Sequence, residues 1–219
     1  QVRDINSSYY PTGNGTIECF LKPEKWDNSI CTIMQSANRI NRAKGAYLPK
    51  RGELFELKYD AKRKRIYILL KDFANKTFKK NVKAVIPEGK WSHIAVQWSK
   101  NGGVQLYLNG KAVINDKKFS YTAMDLESEY PNALNAQQLA IGNSVGISRG
   151  NGTNPRNYTG NIDLLRVSST ARYNGDFTPA KSFAVDADTC ALFSYEKNFD
   201  GTSAVGPCYI SGSIYAADN

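Results

Sequence analysis

The chain carries few side chains suited to acid–base catalysis or metal binding. Its 219 residues include one histidine, His93, and four cysteines, none of them in a C-x-x-C arrangement. A single histidine excludes any mechanism or metal site that needs two, and the cysteine spacing excludes the usual zinc ribbon or knuckle. The composition therefore favours binding over catalysis.

Cysteines and glycosylation sequons indicate an oxidising compartment. An even number of cysteines predicts two disulfides, either Cys19–Cys31 with Cys190–Cys208 or Cys19–Cys190 with Cys31–Cys208. The alternative is four buried thiols in a cytosolic protein. The N-x-Ser/Thr sequons, which predict a glycosylated surface, begin at Asn6, Asn14, Asn75, Asn151 and Asn157. We therefore expect a secreted protein, or one on a cell or virion surface.

The positive charge is concentrated in one part of the chain. Residues 39–90 contain 16 lysines and arginines and 5 acidic residues, a net charge of +11 where the whole chain carries +9. The centre of this segment is the predicted hairpin turn Lys62, Arg63, Lys64 and Arg65. Such a local field attracts polyanions, so an acidic glycan is one interpretation and a solvated edge strand the other. We expect Phe55, Tyr59 and Tyr67 to face the core, which argues against nucleic acid.

The hydrophobic pattern predicts an all-β domain. Leu54–Tyr59 and Arg65–Lys71 alternate in polarity and form a hairpin, and Trp91–Trp98 alternates in the same way. Asn109-Gly110 is a strong two-residue turn signal between two further strands. No apolar run is long enough to cross a bilayer, so we expect no membrane insertion. Without a linker or repeat, we expect one domain over 1–219.

Several stretches resemble the laminin-G-like, concanavalin-A-like jelly-roll family. Glu88–Trp98 and Gly103–Lys111 resemble the two strands of the family's central hairpin. Gly15–Pro23 resembles the family's early strand. Leu139–Gly142 resembles the family's L-x-I-G strand, and Tyr158–Ser168 with the later Ala171–Tyr173 and Asp176–Pro179 resembles its ending. The resemblance covers about 15–196 and leaves 197–219 as an extension.

The resemblance implies an antiparallel β-sandwich whose framework residues are structural. In this pattern Trp91, Trp98 and their alternating apolar neighbours fill the space between the sheets. His93 is then a packed strand histidine rather than a catalytic base. Asp163 and Arg166 are expected to make structural hydrogen bonds or ion pairs. Trp26 lies outside the core pattern and is a candidate exposed aromatic residue.

Enzymes occur on this fold, but their motif is missing here. Glucanases of the family use two carboxylates on one strand in an E-x-D-x-x-E arrangement, about 5 Å apart in retaining enzymes. This chain lacks that spacing, and its nearest acidic cluster, Asp125 to Glu129, lies in a predicted loop. We therefore expect a non-enzymatic protein.

Two long predicted loops, 116–137 and 143–159, carry the side chains best suited to a sugar. Aromatic rings stack on sugar faces, and amide and guanidinium groups bond to hydroxyls. The candidate ligand-binding residues are Asn143, Arg149, Asn154, Arg156, Tyr158, Tyr121 and Tyr130. Some relatives bind Ca²⁺ in this region, so Asp125, Glu127 and Asp163 are candidate metal ligands. The expected role is glycan binding or adhesion, and the alternative is a structural component that packs against neighbouring protein subunits.

Overall fold

The computed structural model describes residues 11, 13–26, 30–38, 52–72, 74–122, 137–142, 156–194, 200–203 and 206–209. These residues form strands and no helix, so nothing in this part of the chain is a helix that could cross a membrane. The strands are β1 Gly15–Pro23, β2 Ile30–Asn38, β3 Gly52–Asp60, β4 Arg65–Lys71, β5 Thr77–Lys83, β6 Ser92–Ser99, β7 Gly103–Leu108, β8 Lys111–Asp116, β9 Gln137–Ile141, β10 Arg156–Asn157, β11 Gly160–Ser168, β12 Thr189–Phe193, β13 Asp200–Ser203 and β14 Gly206–Tyr209.

The strands form two sheets packed face to face. The eight-stranded sheet has the order β14-β13-β12-β11-β1-β6-β7-β8, and the six-stranded sheet has the order β10-β2-β3-β4-β5 with β9 paired to β2. All pairs are antiparallel except β10 with β2. The predicted antiparallel jelly-roll sandwich is confirmed.

Alternating side chains of both sheets fill the core. In the predicted hairpin, which β3 and β4 form, the inward residues are each at most 2% exposed: Phe55, Leu57, Tyr59, Ile66, Ile68 and Leu70. From the facing sheet, Ile94, Val96 and Trp98 of β6 are equally buried. Each large apolar side chain removed from water contributes about 1.5–3 kcal/mol to folding, so this interior dominates the stability.

The tryptophans are placed differently from the prediction. Trp98 is fully buried, as expected, but the expectation that Trp91 packs in the core is wrong. Trp91 is 46% exposed because it precedes β6 at the end of the sandwich. Trp26 packs against the core instead. Its Nε1 donates to Ile86 O at 2.8 Å, and its ring centroid lies 4.6 Å from that of Tyr59.

The Asn109-Gly110 turn is confirmed. Both residues have a positive φ, 51° and 77°, as a tight two-residue hairpin requires. Gly110 is also needed for a close approach, since a Cβ there would lie 1.8 Å from Phe177 O. Phe177 N donates to Gly110 O at 2.9 Å, so the turn anchors the segment that follows β11.

The disulfide prediction is not supported by the described side chains. Cys19, Cys31 and Cys190 are buried thiols outside any disulfide bond. Cys19 lies in β1 of the eight-stranded sheet and Cys31 in β2 of the six-stranded sheet, so no hairpin joins them. Burial raises the pKa of Cys190 to about 11, which keeps its thiol protonated. The side chain of Cys208 lies outside the described residues.

The C-terminal extension adds to the eight-stranded sheet. Strand β13 pairs with β12 at Leu192 and Thr202, and β14 pairs with β13. This hairpin covers the edge that β12 would otherwise present. The extension therefore continues the sandwich beyond the region of family resemblance.

Candidate functional site

A segment without regular structure covers the outer face of the eight-stranded sheet. We call this segment, residues 169–188, the strap. Its Tyr173 and Phe177 rings stack with centroids 3.5 Å apart, and Phe177 also packs against His93 and Tyr107 of the sheet. Gln97 binds the strap backbone twice, donating to Tyr173 O at 2.7 Å and accepting from Tyr173 N at 2.9 Å. The strap closes this part of the sheet to a large ligand.

Beneath the strap lies a buried cluster of charged and polar side chains centred on Glu18. Arg166 donates to Glu18 Oε1 from Nε at 2.8 Å and from a terminal nitrogen at 2.7 Å. His93 Nε2 lies 3.0 Å from Glu18 Oε2, and the Tyr173 hydroxyl donates to the same oxygen. The Arg166 guanidinium also sits 4.0 Å from the centroid of the Phe183 ring.

The Glu18 carboxylate is fully paired but inaccessible. Burial acts to raise the pKa of Glu18, yet the hydrogen bond with His93, the charge of Arg166 and the Tyr173 hydroxyl together hold it below its ordinary value. Glu18 is fully buried and His93 is 1% exposed. His93 is a packed strand residue and Arg166 is a member of an ion pair, as expected, and the cluster fixes the strap to the sheet.

The outer face of the six-stranded sheet, by contrast, presents cations around a tyrosine. We define the basic face as the following outward residues of β3, β4 and β5: Glu56, Lys58, Arg65, Tyr67, Leu69, Lys71, Lys79, Asn81 and Lys83. All are partly or fully exposed. They face outward because they alternate with the buried core residues of the same strands.

Tyr67 lies at the middle of the basic face. The expectation that it faces the core is wrong, because its neighbours Ile66 and Ile68 occupy the inward positions, at 0% and 1% exposure. Tyr67 pairs in register with Lys58 on one side and Asn81 on the other. Tyr67 and Asn81 were not among the predicted binding residues, although the alternation of β4 already placed Tyr67 on the face opposite to the two isoleucines.

The cations of the basic face form two groups along the strands. Arg65 and Lys83 pair in register at one end, while Lys71 and Lys79 lie towards the other. Arg65 and Lys71 are six residues apart, or about 20 Å at the usual rise of a strand. Tyr67 and Asn81 lie between the two groups, so the face combines an aromatic ring and an amide with charge at both ends.

Little of this charge is neutralised. Lys58 pairs with Glu56 at 2.5 Å, and Arg65 donates to the neutral amide oxygen of Asn81. Among the described residues, Lys71, Lys79 and Lys83 have no ion-pair partner. The basic face therefore carries five cations and one carboxylate.

The predicted polyanion patch divides between two surfaces. Lys62, Arg63 and Lys64 are exposed in the turn between β3 and β4, whereas Arg65 begins β4 on the basic face. The backbone and guanidinium of Arg63 both donate to the Asp60 carboxylate at 2.9 Å. Burial acts to raise the pKa of Asp60, but these bonds outweigh it and lower the pKa below the ordinary value. The turn is therefore held in one conformation.

The predicted loop site falls largely outside the described residues, which exclude Tyr130, Asn143, Arg149 and Asn154 together with the side chain of Arg156. Tyr121 and Tyr158 are described, and both are buried in the core at 3% and 9% exposure. Burial raises the pKa of Tyr158, whose hydroxyl donates to Asn161 O at 2.9 Å. These two rings support the fold, and a ligand role for the other loop residues stays a prediction.

The predicted metal and glycosylation sites are only partly described. Asp125 and Glu127 lie outside the described residues, and Asp163 Oδ1 accepts from Leu164 N at 2.7 Å. The described part of the chain holds no group of three His, Cys, Asp or Glu side chains that could bind a metal. Asn14 is exposed and Asn75 lies in a turn with φ 66°, while Asn6, Asn151 and the side chain of Asn157 are not described. Glycosylation stays a prediction.

The sequence matches the family model described as the concanavalin A-like lectin/glucanases superfamily over residues 2–175. The chain belongs to this superfamily. No curated protein sequence matches it.

Solved structures resemble this superfamily member in fold. A putative carbohydrate-binding protein from Bacteroides ovatus is similar at a TM-score of 0.53 and 16% identity, over 90% of this chain and 52% of that one. A heptameric SAP-like pentraxin from Limulus polyphemus is similar at a TM-score of 0.47 and 16% identity, over 73% of this chain and 65% of that one. An alginate lyase from Pseudomonas aeruginosa is similar at a TM-score of 0.43 and 16% identity, over 76% of this chain and 68% of that one. This chain thus spans about half the length of the Bacteroides protein and 65% of the pentraxin, and at these identities the likeness concerns the fold alone.

Proposed function

We propose that this chain is a non-catalytic carbohydrate-binding module that holds an acidic glycan on the basic face. One observation carries the proposal: Tyr67 lies on the outer face of the six-stranded sheet between two groups of cations. A carboxylated or sulfated sugar offers both a ring face for the tyrosine and anions for the lysines and arginine. Membership of a superfamily that includes lectins, and the likeness in fold to a putative carbohydrate-binding protein, support a sugar ligand.

The arrangement of the two sheets also supports this location. The strap covers the outer face of the eight-stranded sheet, where Tyr173 and Phe177 pack on it. The basic face carries lysines with no counter-charge among the described residues, and Asn81 and Lys79 are exposed beside Tyr67. Of the two outer faces, the six-stranded one is the surface on which a polyanion finds both charge and an aromatic ring.

Two features support a role without catalysis. The only histidine, His93, is 1% exposed beneath the strap and is engaged with Glu18. The sequence contains one G-x-S-x-G stretch, Gly146 to Gly150, which in serine hydrolases carries a nucleophile that needs a histidine base. The stretch itself lies outside the described residues, but His93 is already committed to the buried cluster.

A calorimetric titration with a heparin-derived oligosaccharide tests the proposal. We expect binding that weakens with salt, and no binding of a neutral oligosaccharide of equal length. Tyr67→Ala should weaken the affinity by up to about tenfold, since an aromatic contact contributes about 0.5–1.5 kcal/mol. The double variant Lys71→Ser/Lys79→Ser should weaken it by a similar factor, because exposed ion pairs contribute up to about 1 kcal/mol each.

The matched control removes two exposed lysines from another surface, Lys117 and Lys118, which follow β8. Their replacement by serine should leave the affinity nearly unchanged. An equal loss in the control would mean that net charge alone drives binding and would contradict the proposed site.

A single-stranded oligonucleotide belongs in the same panel, because the outward position of Tyr67 removes the argument against nucleic acid. Tighter binding of the oligonucleotide would overturn the glycan assignment.

Location outside the cell also stays a proposal. An acidic polysaccharide is most abundant there, and the sequons agree with that compartment. The thiols of Cys19, Cys31 and Cys190 do not add support, because buried thiols are compatible with either compartment.

A further inference from the structure

One end of the sandwich combines exposed apolar residues with cations. We call it the hairpin end, formed by the exposed residues Lys25, Ile30, Lys62, Arg63, Lys64, Val85, Lys90 and Trp91. Among the described residues, four large hydrophobic side chains are exposed, and three of them are here: Ile30 at 36%, Val85 at 55% and Trp91 at 46%. The three residues lie at the same end of the sandwich instead of being scattered over its surface, and exposed apolar side chains gathered at one end favour an interaction there.

Backbone contacts bring these residues together from distant parts of the chain. Ile30 pairs with Asp60 at the start of the hairpin turn, and Ala84 N donates to Lys64 O at 2.9 Å. The connection from Val85 to Trp91 is fastened to the end of β1, since Gly89 N donates to Pro23 O at 2.7 Å. The hairpin turn, the connection and the end of β1 therefore form one end of the sandwich.

The connection is held firmly in place. Trp26 N donates to Glu88 Oε1 at 2.7 Å, and the Trp26 ring donates to Ile86 O at 2.8 Å. Ile86 N in turn donates to the Tyr59 hydroxyl at 3.3 Å. Val85 and Trp91 are thus presented on a backbone fixed to the core, and their exposure is a property of the fold.

The charge at the hairpin end is strongly positive. Among the described residues, five exposed cations at this end are accompanied by two exposed carboxylates, Glu24 and Glu88. Asp60 is 1% exposed and is occupied by Arg63. This end is therefore suited to a partner that is anionic and that accepts apolar side chains.

We propose that the hairpin end docks on an anionic lipid bilayer. Tryptophan places its apolar body and polar N–H at the boundary between headgroups and acyl chains, and lysines and arginines pair with anionic headgroups around it. Each cation near such a surface increases partitioning about fivefold. A polysaccharide fits this end less well, because valine and isoleucine offer its hydroxyls no hydrogen bond. This inference is independent of the proposed glycan site, since the basic face and the hairpin end share no residue.

Co-sedimentation with lipid vesicles tests this docking. We expect the chain to sediment with vesicles of equimolar phosphatidylcholine and phosphatidylserine and to remain in solution with phosphatidylcholine alone. Lys62→Ser/Lys64→Ser should lower the partition coefficient about 25-fold, from two cations at about fivefold each. The matched control Lys117→Ser/Lys118→Ser removes the same charge beyond β8 and should change it little.

Fluorescence of the unmodified chain provides a second readout. Trp98 is fully buried and Trp26 is partly buried against the core, so Trp91 is the tryptophan that a bilayer would reach first. Brominated lipid in the anionic vesicles should quench the emission, and Trp91→Ala should remove the quenching. Failure to bind anionic vesicles, equal loss in the control variant, or binding without quenching would each overturn the docking. Heparin binding would be unaffected by any of these results, so the two proposals fail separately.

Discussion

At the scale of single residues, Glu18 is a buried carboxylate that depends on its ion-pair and hydrogen-bond partners. It is a fully buried carboxylate that accepts from Arg166 and Tyr173 and contacts His93, and these partners come from β11, the strap and β6. A buried charge is tolerated only when it is paired and hydrogen-bonded, and every partner here also depends on the carboxylate. Glu18 thus joins three segments that are distant in sequence.

Glu18→Gln is expected to destabilise the fold severely. The substitution leaves the Arg166 guanidinium buried without a counter-charge, which costs about 3–5 kcal/mol in comparable buried pairs. Thermal unfolding followed by circular dichroism measures the effect. The control Asp176→Asn alters an exposed ion pair with Lys111, where the two side chains are 51% and 74% exposed, and should cost less than about 1 kcal/mol. Equal shifts in the two variants would show that the Glu18 cluster is not a stabilising centre.

The sequence could not reveal the Glu18 cluster. Within Gly15–Pro23, Glu18 has the position of an outward strand residue, for which solvent is the default environment. The Glu18 side chain is buried only because the strap, more than 150 positions later in the chain, covers it. The same locality limits the prediction of Trp91 and Trp26, because alternation identifies a strand but not the residue at which it leaves the sandwich.

At the scale of elements, the sequence predicted the hairpins well and their partners poorly. Alternation over Leu54–Tyr59 and Arg65–Lys71 identified β3 and β4, and Asn109-Gly110 identified the turn between β7 and β8, because these signals are local. The Cys19–Cys31 disulfide, one of the predicted pairs, does not form. These two cysteines lie in different sheets, which only the long-range topology decides.

The attachment of the strap to the β7–β8 turn gives a prediction at this scale. Gly110→Ala places a methyl group against Phe177 O, at a separation of 1.8 Å without relaxation, and at a φ that alanine disfavours. We expect a loss of several kcal/mol of stability and faster proteolysis between 169 and 188. Gly89→Ala is the control, since its φ is also positive at 66° but a Cβ meets no atom within 4 Å. A strap equally resistant to protease in both variants would contradict its anchoring at Gly110.

At the scale of the whole molecule, the carboxylates determine how stability depends on pH. The hydrogen bonds from Arg172 and Thr189 lower the pKa of Asp186, and the pKa values of Glu18 and Asp60 are also below their ordinary values. A carboxylate with a lower pKa in the folded state contributes stability above its unfolded pKa and loses it as the pH falls.

We therefore expect a melting temperature that changes little from neutral pH down to about pH 5 and falls steeply below about pH 4. A series of thermal melts across this range measures it. Asp186→Asn removes one of these groups together with its paired hydrogen bonds to Arg172, so its melting temperature should be lower at neutral pH and should fall less on acidification. An unchanged melting temperature down to pH 3 would show that these carboxylates do not stabilise the folded state.

The molecule as a whole has one sheet face closed by its own chain and one face rich in cations. The strap and the Glu18 cluster close the eight-stranded sheet, while β3, β4 and β5 present Tyr67 and Asn81 between lysines and arginine. The sequence indicated the excess of charge and the fold family but not this division, because it depends on which sheet the strap crosses. The basic face is consequently the surface on which the proposed function depends.

The most direct test of the basic face is a backbone amide NMR titration with an acidic oligosaccharide. Binding at the proposed site should shift the amides of β3, β4 and β5, above all those around Tyr67 and Asn81, and leave the strap unchanged. In Tyr67→Ala combined with Lys71→Ser, the same shifts should require a much higher oligosaccharide concentration. Shifts confined to 123–136 and 143–155, or to the strap, would place the ligand elsewhere and contradict the account.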